Sequence, residues 1–152
     1  VTVYNDANLG PVAKQELTIK LPEKFFVTDI RTGKQFGYTD LIYSSLNIGD
    51  ALVLGLSPVE NRITIAGPAS AQRGDHVSFS VASTSNGDSL IRCHVFAPDG
   101  AALPIYFSNV FAAAGKGRFV LPFAINDASG RYRVRATDVV TGATTDKIIE
   151  LK

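Results

Sequence analysis

Apolar residues recur at every second position in short segments along most of the chain, and Gly, Pro, Asn and Asp separate those segments. This period predicts half-buried antiparallel strands, because successive side chains of an extended backbone point to opposite faces. Leu17, Ile19 and Leu21 share one face, with Lys14, Glu16, Thr18 and Lys20 on the other. Pro22 is expected to break this strand. Phe25 to Ile30 reads as the next strand, Arg31-Thr32-Gly33-Lys34 as a hairpin turn and Gln35 to Thr39 as the return. Leu41 to Leu46 follows, Asn47-Ile48-Gly49-Asp50 turns the chain, and Ala51 to Leu56 closes a meander. A helical period is absent.

Ser57-Pro58-Val59-Glu60-Asn61 interrupts the pattern, so a domain boundary is expected there. Seven strands are predicted beyond it: Ile63 to Ala66, His76 to Val81, Leu90 to Ala97, Leu103 to Phe111, Arg118 to Phe123, Arg131 to Thr137 and Ala143 to Leu151. Turn residues such as Pro98-Asp99-Gly100 and Gly115-Lys116-Gly117 lie between them. That count and spacing suit an immunoglobulin-like sandwich. The inward set is Val77, Phe79, Val81, Ile91, Cys93, Val95, Phe119, Leu121, Phe123, Tyr132, Val134 and Ala136. The expected fold class is therefore all-β: tandem small β-sandwich modules, residues 1–58 and 61–152, the second immunoglobulin-like. Residues 1–58 supply too few strands for a closed sandwich, so this unit is expected to be a small sandwich or meander completed by preceding chain or by its neighbour. Asp29-Ile30-Arg31-Thr32-Gly33 and Asp138-Val139-Val140-Thr141-Gly142 echo one another as hairpin turns.

Composition narrows the function classes. With 152 residues and 45% hydrophobic content the chain can bury a core. Fifteen basic and 14 acidic residues leave a formal charge of +1, so no overall field favours nucleic acid or an anionic membrane. No run approaches the roughly 18 apolar residues of a membrane span. The chain holds no Met and opens at Val1 on strand-like residues, which leads us to expect a piece of a longer protein with any targeting segment upstream. Cys93 is the only cysteine, so no internal disulfide is available.

The stretches VTDIRTGKQFGYTDLI and NIGDALVLGLSP resemble the β-rich C-terminal tails of bacterial glycoside hydrolases, in which a Thr-Gly turn and a last apolar strand ending in Leu-Ser-Pro close a small sandwich. ITIAGPASAQRGDHVSFSV, VFAPDG and GRYRVRATDVVTG are similar to immunoglobulin-like modules appended to secreted carbohydrate-active and cell-surface proteins. The resemblance implies a non-catalytic structural or interaction module, extracellular or periplasmic, whose partner is the upstream domain of the same parent polypeptide. It carries no catalytic residue into this chain, and no cofactor. A carbohydrate-binding module and a cell-surface adhesin-type array are the alternatives.

Candidate chemistry is sparse. Paired-carboxylate glycoside cleavage needs two acids facing one another across a sugar. Glu16, Glu23, Asp29 and Asp40 are the candidates, and turn or surface roles account for them. Cys93 beside His94 suggests a thiolate and base, but strand neighbours point to opposite faces, which makes Cys93 a core residue. His76 and His94 share the outward phase and lack a third metal ligand. Asn86-Gly87-Asp88 and Asn126-Asp127 offer oxygen ligands for calcium, although turn chemistry explains them. Arg131, Arg133 and Arg135 line one face of a strand, as a site for an anionic glycan or acidic partner surface, or as an edge or solvent face guarded by charge. Tyr4, Tyr38, Tyr43 and Tyr106 are the aromatic platforms available for stacking on a polysaccharide, since Trp is absent. Tyr106 is expected to point away from Ile105 and Phe107.

Overall fold

A computed structural model describes residues 1–5, 14–85 and 87–152. The chain is all-β. By its internal contacts it divides into two compact units, Val1–Glu60 with Val140–Gly142, and Asn61–Val139 with Ala143–Lys152.

Among the described residues the first unit is one antiparallel sheet of β1 (Thr2–Tyr4), β2 (Lys14–Asp29), β3 (Gln35–Asn47) and β4 (Ala51–Ser57), in the order β1-β4-β2-β3. Lys14–Lys20 of β2 pairs with Asn47–Leu41 of β3, and pairing resumes from Phe25 opposite Thr39. Between these stretches the residues from Leu21 to Lys24 stand against Asp40 alone. Pro22 therefore does not end the strand, as the sequence suggested. It sits in a bulge, where no ladder bond needs its missing N–H, and the expected break between Thr39 and Leu41 is likewise one bent strand. Leu21, Val27, Ile42, Leu46, Leu52 and Leu54 form the core of this unit.

The second unit stacks a three-stranded sheet on a five-stranded one. Its strands are β5 (Ile63–Ala66), β6 (Ser70–Ala71), β7 (His76–Ser83), β8 (Ser89–Phe96), β9 (Ser108–Ala112), β10 (Lys116–Pro122), β11 (Gly130–Asp138) and β12 (Thr144–Leu151). The orders are β10-β7-β5 and β6-β12-β11-β8-β9, antiparallel except where β6 lies parallel to β12. All twelve residues of the predicted inward set are buried here, joined by Ile63, Val110, Ile149 and Leu151.

The predicted strand Leu103 to Phe111 is corrected to a 3₁₀ turn, Pro104–Tyr106, followed by β9. Pro104 fixes the backbone for a turn, and the N–H groups of Tyr106 and Phe107 donate to the carbonyls of Leu103 (3.0 Å) and Pro104 (3.1 Å). The turn inverts the expected alternation: Ile105 is 86% exposed, Phe107 38%, and Tyr106 packs on the core. The two echoing turns close alike. Asp29 N–H donates to the Lys34 carbonyl at 2.8 Å and Asp138 N–H to that of Ala143 at 2.9 Å.

Candidate interaction surface

β11 is the middle strand of the five-stranded sheet, so its side chains divide cleanly between core and solvent. Tyr132, Val134 and Ala136 go inward, and Arg131, Arg133 and Arg135 stand on the outer face. The arginine row thus lies on a solvent face and not at a sheet edge, one of the two placements that the charge-guard reading allowed. Register sets each arginine between neighbours: Arg131 faces Glu150 on β12, Arg133 faces Phe96 on β8 and Ile148 on β12, and Arg135 faces His94 and Asp146. The Arg133 guanidinium lies 4.3 Å from the centre of the Phe96 ring, and that of Arg135 lies 5.9 Å from it. Cations at these distances are held by the ring quadrupole.

Arg135 also donates from Nε and Nη2 to Asp146 Oδ1 and Oδ2, at 2.8 and 2.9 Å. Arg133 Nη1 is 3.9 Å from Asp146 Oδ2. The fork from Arg135 holds the Asp146 carboxyl below its usual range, and the same bond raises Arg135. One carboxylate serves two guanidinium groups, so positive charge is left over at the surface. Further along, the His94 ring stacks on Phe107 with centroids 4.2 Å apart. Its pKa is lowered from 6.5, first by burial and then by the charges of Arg92 and Arg135. Arg92, His94, Phe107, Ser108 and Asn109 line a shallow hollow of about 320 Å³ beside the arginines.

Neither a scan of protein-family models nor a search of curated proteins returns a match. The site is therefore judged on its geometry.

The predicted tyrosines are not brought together. Tyr38 and Tyr43 are exposed on β3 but sit five residues apart, roughly 16 Å along an extended strand, and Tyr38 packs on Phe26 at 4.9 Å. Tyr4 is exposed on β1. Tyr106 belongs to the second unit, where it is partly buried against the core and braces a turn. Its hydroxyl donates to Asp127 Oδ2 at 2.5 Å and accepts from Ala124 N–H at 3.1 Å, while the ring meets Phe123 edge-on.

The other candidates divide by burial and partner. Cys93 lies in the core, where burial pushes its thiol up to about 12. His76 is on the three-stranded sheet and His94 on the five-stranded one, both outward, so the stacked core lies between them. Asp29 accepts from Arg31 N–H (3.1 Å) and Thr32 Oγ1 (2.6 Å) as a turn residue. Asp40 pairs with Lys20, and Glu16 with Lys14 at 3.1 Å. Glu23 is exposed. Asn86 lies outside the described residues, Asp88 accepts from Ala114 N–H (2.9 Å), and Asp127 also binds Ala124 N–H (2.8 Å). Among the described residues no three His, Cys, Asp or Glu side chains converge as a metal site, and no helix is long and apolar enough to cross a membrane.

Sequence reasoning missed Arg92, His94, Phe96 and Phe107 as companions of the arginine row. The outward phase of β8 carries the first three in order, a signal that the core alternation of the same strand makes readable.

Proposed function

We propose that the chain is a non-catalytic interaction module, two β units in tandem, that docks through the outer face of the five-stranded sheet onto an acidic surface of a larger, secreted, glycoside hydrolase-like parent. The observation that carries this reading is the Arg133–Phe96–Arg135 ladder. Guanidinium groups fixed over an aromatic ring lose little freedom when they meet carboxylates, which is what a docking surface needs.

An immunoglobulin-like second unit fits the same reading. The strand orders put the first, second and fifth long strands in one sheet and the remainder in the other, with β6 crossing to pair beside the last strand. The Tyr132 hydroxyl, two residues into β11, donates to the Ala128 carbonyl at 2.8 Å, the bond of a tyrosine corner. Absence of catalysis is supported by what the reactive groups are doing: the thiol is buried, and Asp29, Asp88 and Asp127 are committed to turns.

The test is calorimetry on the parent polypeptide with these residues intact, deleted, or carrying Arg131→Ser, Arg133→Ser and Arg135→Ser together. If the module docks, loss of that contact lowers the melting temperature of the remaining domains by at least about 2 °C both on deletion and in the triple variant. An unchanged transition in both, or a coding sequence with no larger parent, overturns the reading.

A further inference from the structure

The opposite face of the second unit carries a trough. Across the three-stranded sheet, Lys116 faces Ala82 and Ala82 faces Thr64; one step on, Arg118 faces Ser80 and Ser80 faces Ala66. The central strand thus presents small side chains, with Ser78 continuing the floor, while β10 raises two exposed cations along one side. The flanking strands stand roughly 10 Å apart, two inter-strand spacings. Phe111 on β9, 64% exposed, closes one end. Gly117 makes this closure possible, because a Cβ there would lie 2.6 Å from Val110 Cγ1 and 3.3 Å from the Phe111 carbonyl oxygen. The resulting concavity has a volume of about 570 Å³ and no acidic residue in its lining. Among the described residues neither Lys116 nor Arg118 makes an ion pair.

We infer that this trough binds a linear, carboxylate-bearing oligosaccharide. Each wall has a matching chemistry. The flat ring of Phe111 takes the C–H face of a pyranose, the hydroxyls of Ser80 and Thr64 take ring hydroxyls, and Lys116 and Arg118 take sugar carboxylates. An acidic peptide fits less well: the floor is a sheet face, with its backbone N–H and C=O groups already in ladders, so an extended chain finds no main-chain partners there. The trough's floor and both cations lie on the three-stranded sheet, apart from the β11 arginines of the docking role above, and only Phe111 comes from β9, the edge strand of the other sheet.

The experiment titrates the full chain, by calorimetry at low salt, with hexamers of galacturonate, of mannuronate and of a glucuronate-containing repeat, with a methyl-esterified galacturonate hexamer, and with hexaglutamate. At least one uronate binds, its ester binds at least about tenfold more weakly, and Phe111→Ala and the pair Lys116→Ser/Arg118→Ser each weaken binding about tenfold. Ser80→Tyr, which fills the floor and keeps both cations, abolishes it. All these side chains are exposed, and an unchanged melting temperature establishes that each variant is folded. The triple variant of the β11 arginines binds as the parent sequence does, which separates this site from the docking face. The inference is overturned if no uronate binds, if hexaglutamate binds as tightly, if Ser80→Tyr is without effect, or if the loss follows Arg131, Arg133 and Arg135.

Discussion

Single side chains in the second unit do structural work that their chemistry makes measurable. The Tyr132 hydroxyl ties the start of β11 to the Ala128 carbonyl while its ring is buried against Phe123. Tyr132→Phe keeps the ring and removes the bond, so it should cost about 1 kcal/mol in urea denaturation. Cys93 is expected not to react with a disulfide reagent at pH 8 until the chain unfolds, since its thiol ionises only at about 12 in the fold; reaction at the rate of a free thiol refutes the buried placement. For His94 the sign of the pH effect follows from its lowered pKa. The unfolded chain takes up the proton first as pH falls below 6.5, so the stability this residue contributes is complete above that value and is lost as pH drops through the folded pKa. A ring-proton NMR titration should give a midpoint under 6.5 that moves up in Arg92→Ser. It should not return fully to 6.5, because burial is the larger cause.

At the level of strands, period two carried most of the information, and proline was where it misled. Val77, Phe79 and Val81 are buried on β7 as their spacing requires, and the arginine row on β11 was legible for the same reason. Pro22 and Pro104 reversed expectation in opposite senses. One is absorbed by a bulge inside a strand, and the other starts a 3₁₀ turn where a strand was expected. Which strand lies beside which is not written in alternation, so the Phe96 ring under the arginines and the approach of Phe111 to Lys116 emerge only from register and close packing. Between β5 and β6 the chain passes from one sheet to the other at Gly67, where a Cβ would lie 2.4 Å from the Phe79 ring. Gly67→Ala should therefore cost about 1–3 kcal/mol, the penalty of overpacking beside a core aromatic. A urea midpoint equal to that of the parent sequence refutes this account of the crossing.

For the whole molecule, the two units differ in how much core each supplies. Among the described residues, eighteen buried side chains from two facing sheets make one cluster in the second unit, while six from a single sheet make the cluster of the first. Burial of apolar surface must offset about 1–2 kcal/mol of backbone entropy per ordered residue, and the fraction of surface a chain can bury falls with its length. A unit of about sixty residues whose described strands form one sheet is near the lower limit of that balance; a unit with two stacked sheets is well inside it. Residues 61–152 expressed alone should therefore unfold in one cooperative transition and give a dispersed amide spectrum. Residues 1–60 alone should show a broad, weakly cooperative melt and poor dispersion. If instead the shorter piece melts sharply, its sheet encloses more apolar surface than the six described core residues account for, and the difference in core between the two units does not set their stability.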